Sequence, residues 1–106
     1  MITINIYYKG NNGSAKKFVS EMFSSGLVDE IRKEEGNLRY EYFYPLDDEE
    51  TILLIDCWVD QKALDRHHKL PIMNSIIKLR DKYDLHMKVE KYESIVDTKD
   101  EKYIRK

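Results

Sequence analysis

Two adjacent histidines (His67 and His68), Asn5 inside an apolar run, the single tryptophan Trp58 and the single cysteine Cys57 are residues whose types permit chemistry beyond packing. A neutral imidazole, with an ordinary pKa of about 6.5, can take a proton from a bound acid. An asparagine amide can donate a hydrogen bond to an oxygen that is gaining charge. Two histidines in a row do not make a metal site, because zinc needs several clustered ligands. Cys57 has no partner for an internal disulfide and sits among apolar neighbours, so it reads as a small buried hydrophobe rather than a reactive thiol. Each of the others also has a packing reading. His67 follows Ala63 and Leu64 by four and three positions, which puts it at the edge of a buried helix face. Asn5 can bond neighbouring backbone or lie at a seam between copies, Trp58 can fill the core where strand meets helix, and His68 suits a rim. The stripe Tyr40, Tyr42, Tyr44 reads as packing between copies, and Met73, Ile76 and Ile77 read as a helix core stripe.

These residues need a frame. Residues 1–8 alternate, with Ile2, Ile4 and Ile6 on one side and Thr3, Asn5 and Tyr7 on the other, as a strand requires. Gly10-Asn11-Asn12-Gly13 is a turn, and Ser14 reads as the cap of a helix whose apolar positions (Phe18, Val19, Met22, Phe23, Leu27, Ile31) recur up to the stop at Gly36. Ser24-Ser25-Gly26 is a point where that helix can bend or split. Residues 37–46 read as a second strand with Leu38, Tyr40, Tyr42 and Tyr44 on one face, and residues 45–50 as its polar connection to a third strand over 51–58. Asp60 can cap a short helix running through His68. Leu70-Pro71 ends it, and Ile72, Met73, Ile76, Ile77, Leu79 and Tyr83 mark the next helix. Residues 85–95 form a fourth strand. Residues 1–95 are one domain, and 96–106 a charged tail that is mobile or wraps a partner.

The order β-α-β-β-α-β predicts a ferredoxin-like α+β fold with a four-stranded antiparallel sheet and its second helix broken in two. Helices can cover one face of such a sheet. Ile52, Leu53, Leu54, Ile55, Cys57 and Trp58 nevertheless place apolar groups on both faces of the third strand, whereas a sheet with one wet face alternates cleanly. The second face is therefore expected to meet another copy of itself in a homodimer. The net charge of −2, with a charged fraction of 36%, gives no electrostatic reason to expect nucleic acid or an anionic membrane as partner. With no apolar run of about 18 residues and no signal pattern at the N-terminus, a cytoplasmic location is expected.

Three strings carry a resemblance: Glu35-Gly36-Asn37-Leu38-Arg39-Tyr40-Glu41-Tyr42-Phe43, Leu53-Leu54-Ile55-Asp56-Cys57-Trp58, and Ala63-Leu64-Asp65-Arg66-His67. In their order and spacing they resemble the antibiotic biosynthesis monooxygenase (ABM) domain family, quinol monooxygenase-like members included, over about residues 2–95. The chain departs from the family pattern in two places. Glu35 stands where proline is usual, and His68-Lys69-Leu70-Pro71-Ile72-Met73 lacks the second polar group that often follows the histidine. The resemblance implies a dimeric α/β barrel with two sheets face to face, a pocket between sheet and helices, and chemistry that needs no flavin, haem or metal. A hydroquinone or related small aromatic suits such a site, because its phenolate can itself pass an electron to dioxygen. On that resemblance His67 takes the phenol proton and Asn5 donates to an oxyanion, as the catalytic pair. Trp58, Tyr7, Tyr42, His68 and Met73 then line the substrate slot.

Relatives of this fold that degrade haem use a tryptophan where His67 stands and an axial histidine ten residues later, where this chain has Ile77. Haem degradation is disfavoured accordingly. RNA-recognition domains share the strand order, but their aromatic signature belongs on the third strand, which here is aliphatic over 52–57. The expected function is cofactor-independent oxidation of a small aromatic by dioxygen. The alternative is a non-enzymatic dimer of the same fold that binds a small molecule or only associates.

Overall fold

The structure, a computed structural model, describes residues 1–96 and 99–106. Its elements are β1 (Ile2–Lys9), α1 (Ser14–Ser24), α2 (Leu27–Arg32), β2 (Asn37–Phe43), β3 (Thr51–Trp58), α3 (Gln61–His68), α4 (Ile72–Lys82) and β4 (His86–Glu93). The four strands form one antiparallel sheet in the order β2-β3-β1-β4. This is the ferredoxin-like α+β arrangement expected from the sequence.

The period-2 alternation of β1 is kept: Ile2, Ile4, Ile6 and Tyr8 are buried against the helices, while Thr3, Asn5 and Tyr7 face the other way. Register carries this division across the sheet. Tyr40, Asp56, Ile4 and Lys91 form one row on the helix side, and Tyr42, Leu54, Ile6 and Val89 form the next. Phe18 and Met22 of α1, Val28 and Ile31 of α2, and Ile76 of α4 close over the first three strands with Trp58 and Tyr8 beneath them. Burying each such side chain contributes roughly 1.5–3 kcal/mol.

The first helix does split, at Gly26, whose φ of 83° is a left-handed conformation that favours glycine. Two local expectations are corrected. Ser14 is not the cap of α1: Gly13 holds that position with φ 79°, its N–H donates to the Glu50 carboxylate, and the Ser14 hydroxyl instead accepts from the Asn11 N–H at 2.9 Å. The four-residue stripe of β2 is also broken. A bulge between Asn37 and Arg39 turns Leu38 out to 56% exposure, and the strand ends at Phe43, before Tyr44. Tyr40 and Tyr42 face the helices of their own chain, Tyr42 meeting Phe18 and Phe23 at 6.4 and 6.0 Å between centroids. They are therefore not packing between copies.

The face away from the helices carries Leu53, Ile55 and Cys57 on β3 and Thr3, Asn5 and Tyr7 on β1. The outer strands add Arg39, Glu41, Phe43, His86, Lys88, Glu90 and Tyr92. It is apolar along its central strand and charged at its edges. Among the described residues no helix is long and apolar enough to cross a membrane. The tail expected at the C-terminus includes Asp97 and Thr98, which lie outside the described residues. Beyond them Glu101–Tyr103 is a single 3-10 turn, and residues 99–106 are exposed.

Candidate active site

The helices cover β2, β3 and β1 but not β4, so Met87 and Val89 on its helix-facing side remain 40% and 55% exposed. Between them and the second helix pair lies a cleft of about 340 Å³. Ile4, Ile6 and Leu54 form its floor. Leu64, His67 and His68 of α3 and Met73, Ile76 and Arg80 of α4 form one side, with Tyr40, Asp56, Gln61 and Lys91 at its edges.

His67 is placed by two local devices. Asp60, extended and just before α3, accepts from the Ala63 N–H at 2.9 Å and fixes where that helix starts. The turn from α2 into β2 then comes close to α3, because Gly36 (φ 87°) has no Cβ; one built there would lie 2.6 Å from the Ala63 Cβ. That approach brings Glu34 over His67. Both Glu34 carboxylate oxygens lie 2.9 Å from His67 Nδ1. His67 is 4% exposed and its ring lies 4.7 Å from the Trp58 ring, at 30° between planes. A carboxylate at Nδ1 fixes the tautomer with the proton on that nitrogen, so Nε2 is the nitrogen left to accept a proton in the cleft.

Asp56 is the second buried polar residue of the site, at 5% exposure. Burial, aided by the charge of Glu34, pushes its carboxyl up to about 7; Trp58, the Asn37 amide and the Arg80 charge hold it back. Asn37 Nδ2 donates to Asp56 Oδ1 at 3.4 Å. The Trp58 indole N–H lies near enough to favour the Asp56 carboxylate, yet it is sealed from solvent without a hydrogen bond of normal geometry. Tyr40, its hydroxyl 3.3 Å from that of Tyr42, has its phenol raised well above the ordinary value by burial and stays neutral. His68, on the rim, is held below its ordinary value by burial and by its neighbours His67, Arg80 and Lys91.

The site residues read from the sequence fall into three groups. His67, His68 and Met73 come together on the cleft. Trp58 is fully buried beneath His67 and does not reach the cleft surface, and Tyr42 is packed among Phe18, Phe23 and Tyr40. Asn5 and Tyr7 lie on the opposite face of the sheet, so His67 and Asn5 do not line one pocket within a chain. The sequence reading did not single out Glu34, Asp56 or Arg80, and it read Tyr40 as packing between copies rather than as part of the site. A signal existed for two of them: Asp56 interrupts the apolar run of β3 as Asn5 interrupts that of β1, and Arg80 continues the stripe Met73, Ile76 at helical spacing. Among the described residues, no three His, Cys, Asp or Glu side chains are grouped so as to hold a metal ion.

A four-stranded ferredoxin-like sheet with a mostly apolar cleft under its second helix pair, and on that cleft a histidine held from behind by a carboxylate, defines a class of small α+β domains. Within that class the chain belongs to the antibiotic biosynthesis monooxygenase family, whose model it matches over residues 1–79. It is 32% identical over 69 residues to the Bacillus subtilis (strain 168) protein named "Putative monooxygenase YcnE", an alignment covering 65% of this chain and 70% of that one. Among solved structures, a Deinococcus radiodurans antibiotic biosynthesis monooxygenase candidate superposes with a TM-score of 0.79 at 18% identity, over 92% of this chain and 95% of its own. SnoaB of Streptomyces nogalater, a cofactor-independent oxygenase, superposes with a TM-score of 0.75 at 13% identity, over 92% and 96%. At such identities the two structures speak to the fold.

Proposed function

We propose that this protein oxidises a small phenolic or hydroquinone-type substrate with dioxygen in the cleft, the substrate itself supplying the electrons. The observation that carries the reading is His67 on a mostly apolar cleft, with the Glu34 carboxylate behind it at Nδ1. His67 Nε2 takes a phenol proton while Glu34 stabilises the imidazolium that forms, and the phenolate is then electron-rich enough to reduce dioxygen. For a hydroquinone, one oxygen atom enters the ring, the other leaves as water, and the product is a hydroxyquinone, so atoms and electrons balance. Tyr40 and the protonated form of Asp56 are the neutral donors at the edge of the cleft that can meet oxygen atoms gaining charge.

Oxygen-electrode measurements across a hydroquinone panel, corrected for spontaneous autoxidation, test this. His67→Ala should lower the rate by about 10²–10⁴, the usual contribution of a general base. Equal rates for wild type and His67→Ala would make His67 structural and give the lead to a binding or association role.

The same reading includes a homodimer through the open sheet face. Leu53 and Ile55 at its centre and charged residues at its edges have the arrangement of an interface core and rim. On this reading Asn5, which lies on that face, belongs to the seam and stays away from the oxyanion.

A further inference from the structure

We propose that the cleft selects a planar aromatic carrying a carboxylate, and that Arg80, supported by Lys91, is the residue that holds this anion. Arg80 rises from α4 over Tyr8, donating from Nε and Nη2 to the Tyr8 hydroxyl at 3.2 and 3.0 Å. Tyr8 is fully buried, and burial raises its phenol above the ordinary value even against the neighbouring Arg80, so the partner is a neutral oxygen. Arg80 is itself half-buried, lines the cleft, and has no carboxylate within ion-pair distance among the described residues. Its Nη1 edge makes no side-chain hydrogen bond there. Lys91, across the cleft on β4, likewise gives its Nζ to a neutral group, the Gln61 side-chain oxygen.

Partly desolvating a guanidinium without a counter-charge is costly, and a ligand carboxylate with its planar, two-oxygen edge is the group that best offsets it. Among the described residues the one carboxyl on the cleft wall is Asp56, buried and only part-ionised near neutral pH, so it does not cancel the two cations. Sheet register supplies the geometry. On the helix side, the row that holds Trp58, on which His67 is stacked, is three rows from the row that holds Tyr8, over which Arg80 lies, with Ile4 and Ile6 between. Those outer rows are about 20 Å apart along the strand. The Arg80 side chain reaches back from Tyr8 far enough to act on Asp56 and His68, so a flat ring resting on the two isoleucines has its phenol edge on the His67 side and its carboxylate edge on the Arg80 side.

The proposal rests on the cleft being the ligand site of the proposed function, but not on turnover, so binding is the measurement. Fluorescence of the single tryptophan, buried beneath His67, can follow titrations with 2,5-dihydroxybenzoate, hydroquinone and inorganic phosphate. Wild type should bind 2,5-dihydroxybenzoate at least about 10-fold more tightly than hydroquinone, the scale of a charge-assisted hydrogen bond, and more tightly than phosphate. Arg80→Met should abolish that preference while leaving hydroquinone affinity within about 3-fold, and Lys91→Met should shrink it. Arg80→Lys, which keeps the charge but loses the fork, should recover part of it. Where Arg80→Met does not fold, the wild-type preference must still fall as salt is raised. Equal affinities in wild type, or an unchanged preference in Arg80→Met, would overturn the proposal. A carboxylate preference without oxygen uptake would sink the oxygenase reading and leave this one standing. Oxygen uptake with hydroquinone but no carboxylate preference would do the reverse.

Discussion

A carboxyl raised to about 7 inside a fold is a stored cost at neutral pH, and Asp56 makes that cost measurable. The folded pKa lies above the unfolded value, so the stability Asp56 permits is fully present below the unfolded pKa of 3.8. It is lost as pH rises through about 7, where the buried group must ionise. Asp56→Asn removes that ionisation while keeping an oxygen for the Asn37 amide. Thermal unfolding should show the variant gaining on wild type by several degrees at pH 8 and by much less at pH 5. An equal shift at both pH values would mean that Asp56 is solvated in the fold. Glu34 acts one bond further from the cleft. Glu34→Gln keeps a hydrogen-bond acceptor for His67 Nδ1 but loses the charge that stabilises an imidazolium. Turnover should fall by about 10-fold or more with KM little changed, less than for His67→Ala. A KM effect alone would assign Glu34 to packing.

At the scale of elements, two left-handed glycines separate backbone strain from steric contact. Gly26, at the break between α1 and α2, has φ 83° and open space where a Cβ would go. Gly26→Ala should therefore cost only the conformational penalty, about 1 kcal/mol. Gly36 has φ 87° and the Ala63 Cβ at 2.6 Å, so Gly36→Ala adds a clash between the α2–β2 turn and α3. It should cost about 2–4 kcal/mol in urea unfolding. It should also lower activity, because the approach it blocks is the one that sets Glu34 on His67. Equal losses for the two variants would show that α3 gives way freely.

For the whole molecule, the unresolved balance of the sheet is its uncovered face. In the proposed dimer that face meets its copy, burying on the order of 1,500–3,000 Å² in total. Ile55→Asp should leave a folded monomer by light scattering at micromolar concentration, since Ile55 points away from the chain's own core. Tyr42→Asp should instead prevent folding, because Tyr42 packs against Phe18 and Phe23 inside the chain. A wild-type monomer at that concentration would remove the dimer from the proposed function.

The extents of β3 and α3, the break of the first long helix and the β-α-β-β-α-β order were legible in the chain. They follow from short-range rules: alternation in residues 1–8, the apolar run of 51–58, glycine at a left-handed turn, and Asp60 as a cap. So was the two-sided character of β3, which needs only a period of two. What faces what was not legible. Asn5 and His67 were read as one site, yet the register of β1 on β3 sends Asn5 to the open face while α3 sets His67 on the other. Glu34 meets His67 across 33 positions and Arg80 meets Tyr8 across 72, contacts that no local pattern encodes. Local sterics and periodicity decide which residues share a strand face or a helix stripe. Strand order, register and the glycine-allowed approach of one turn to another helix decide which of those faces meet, and these exist only once the whole sheet is assembled.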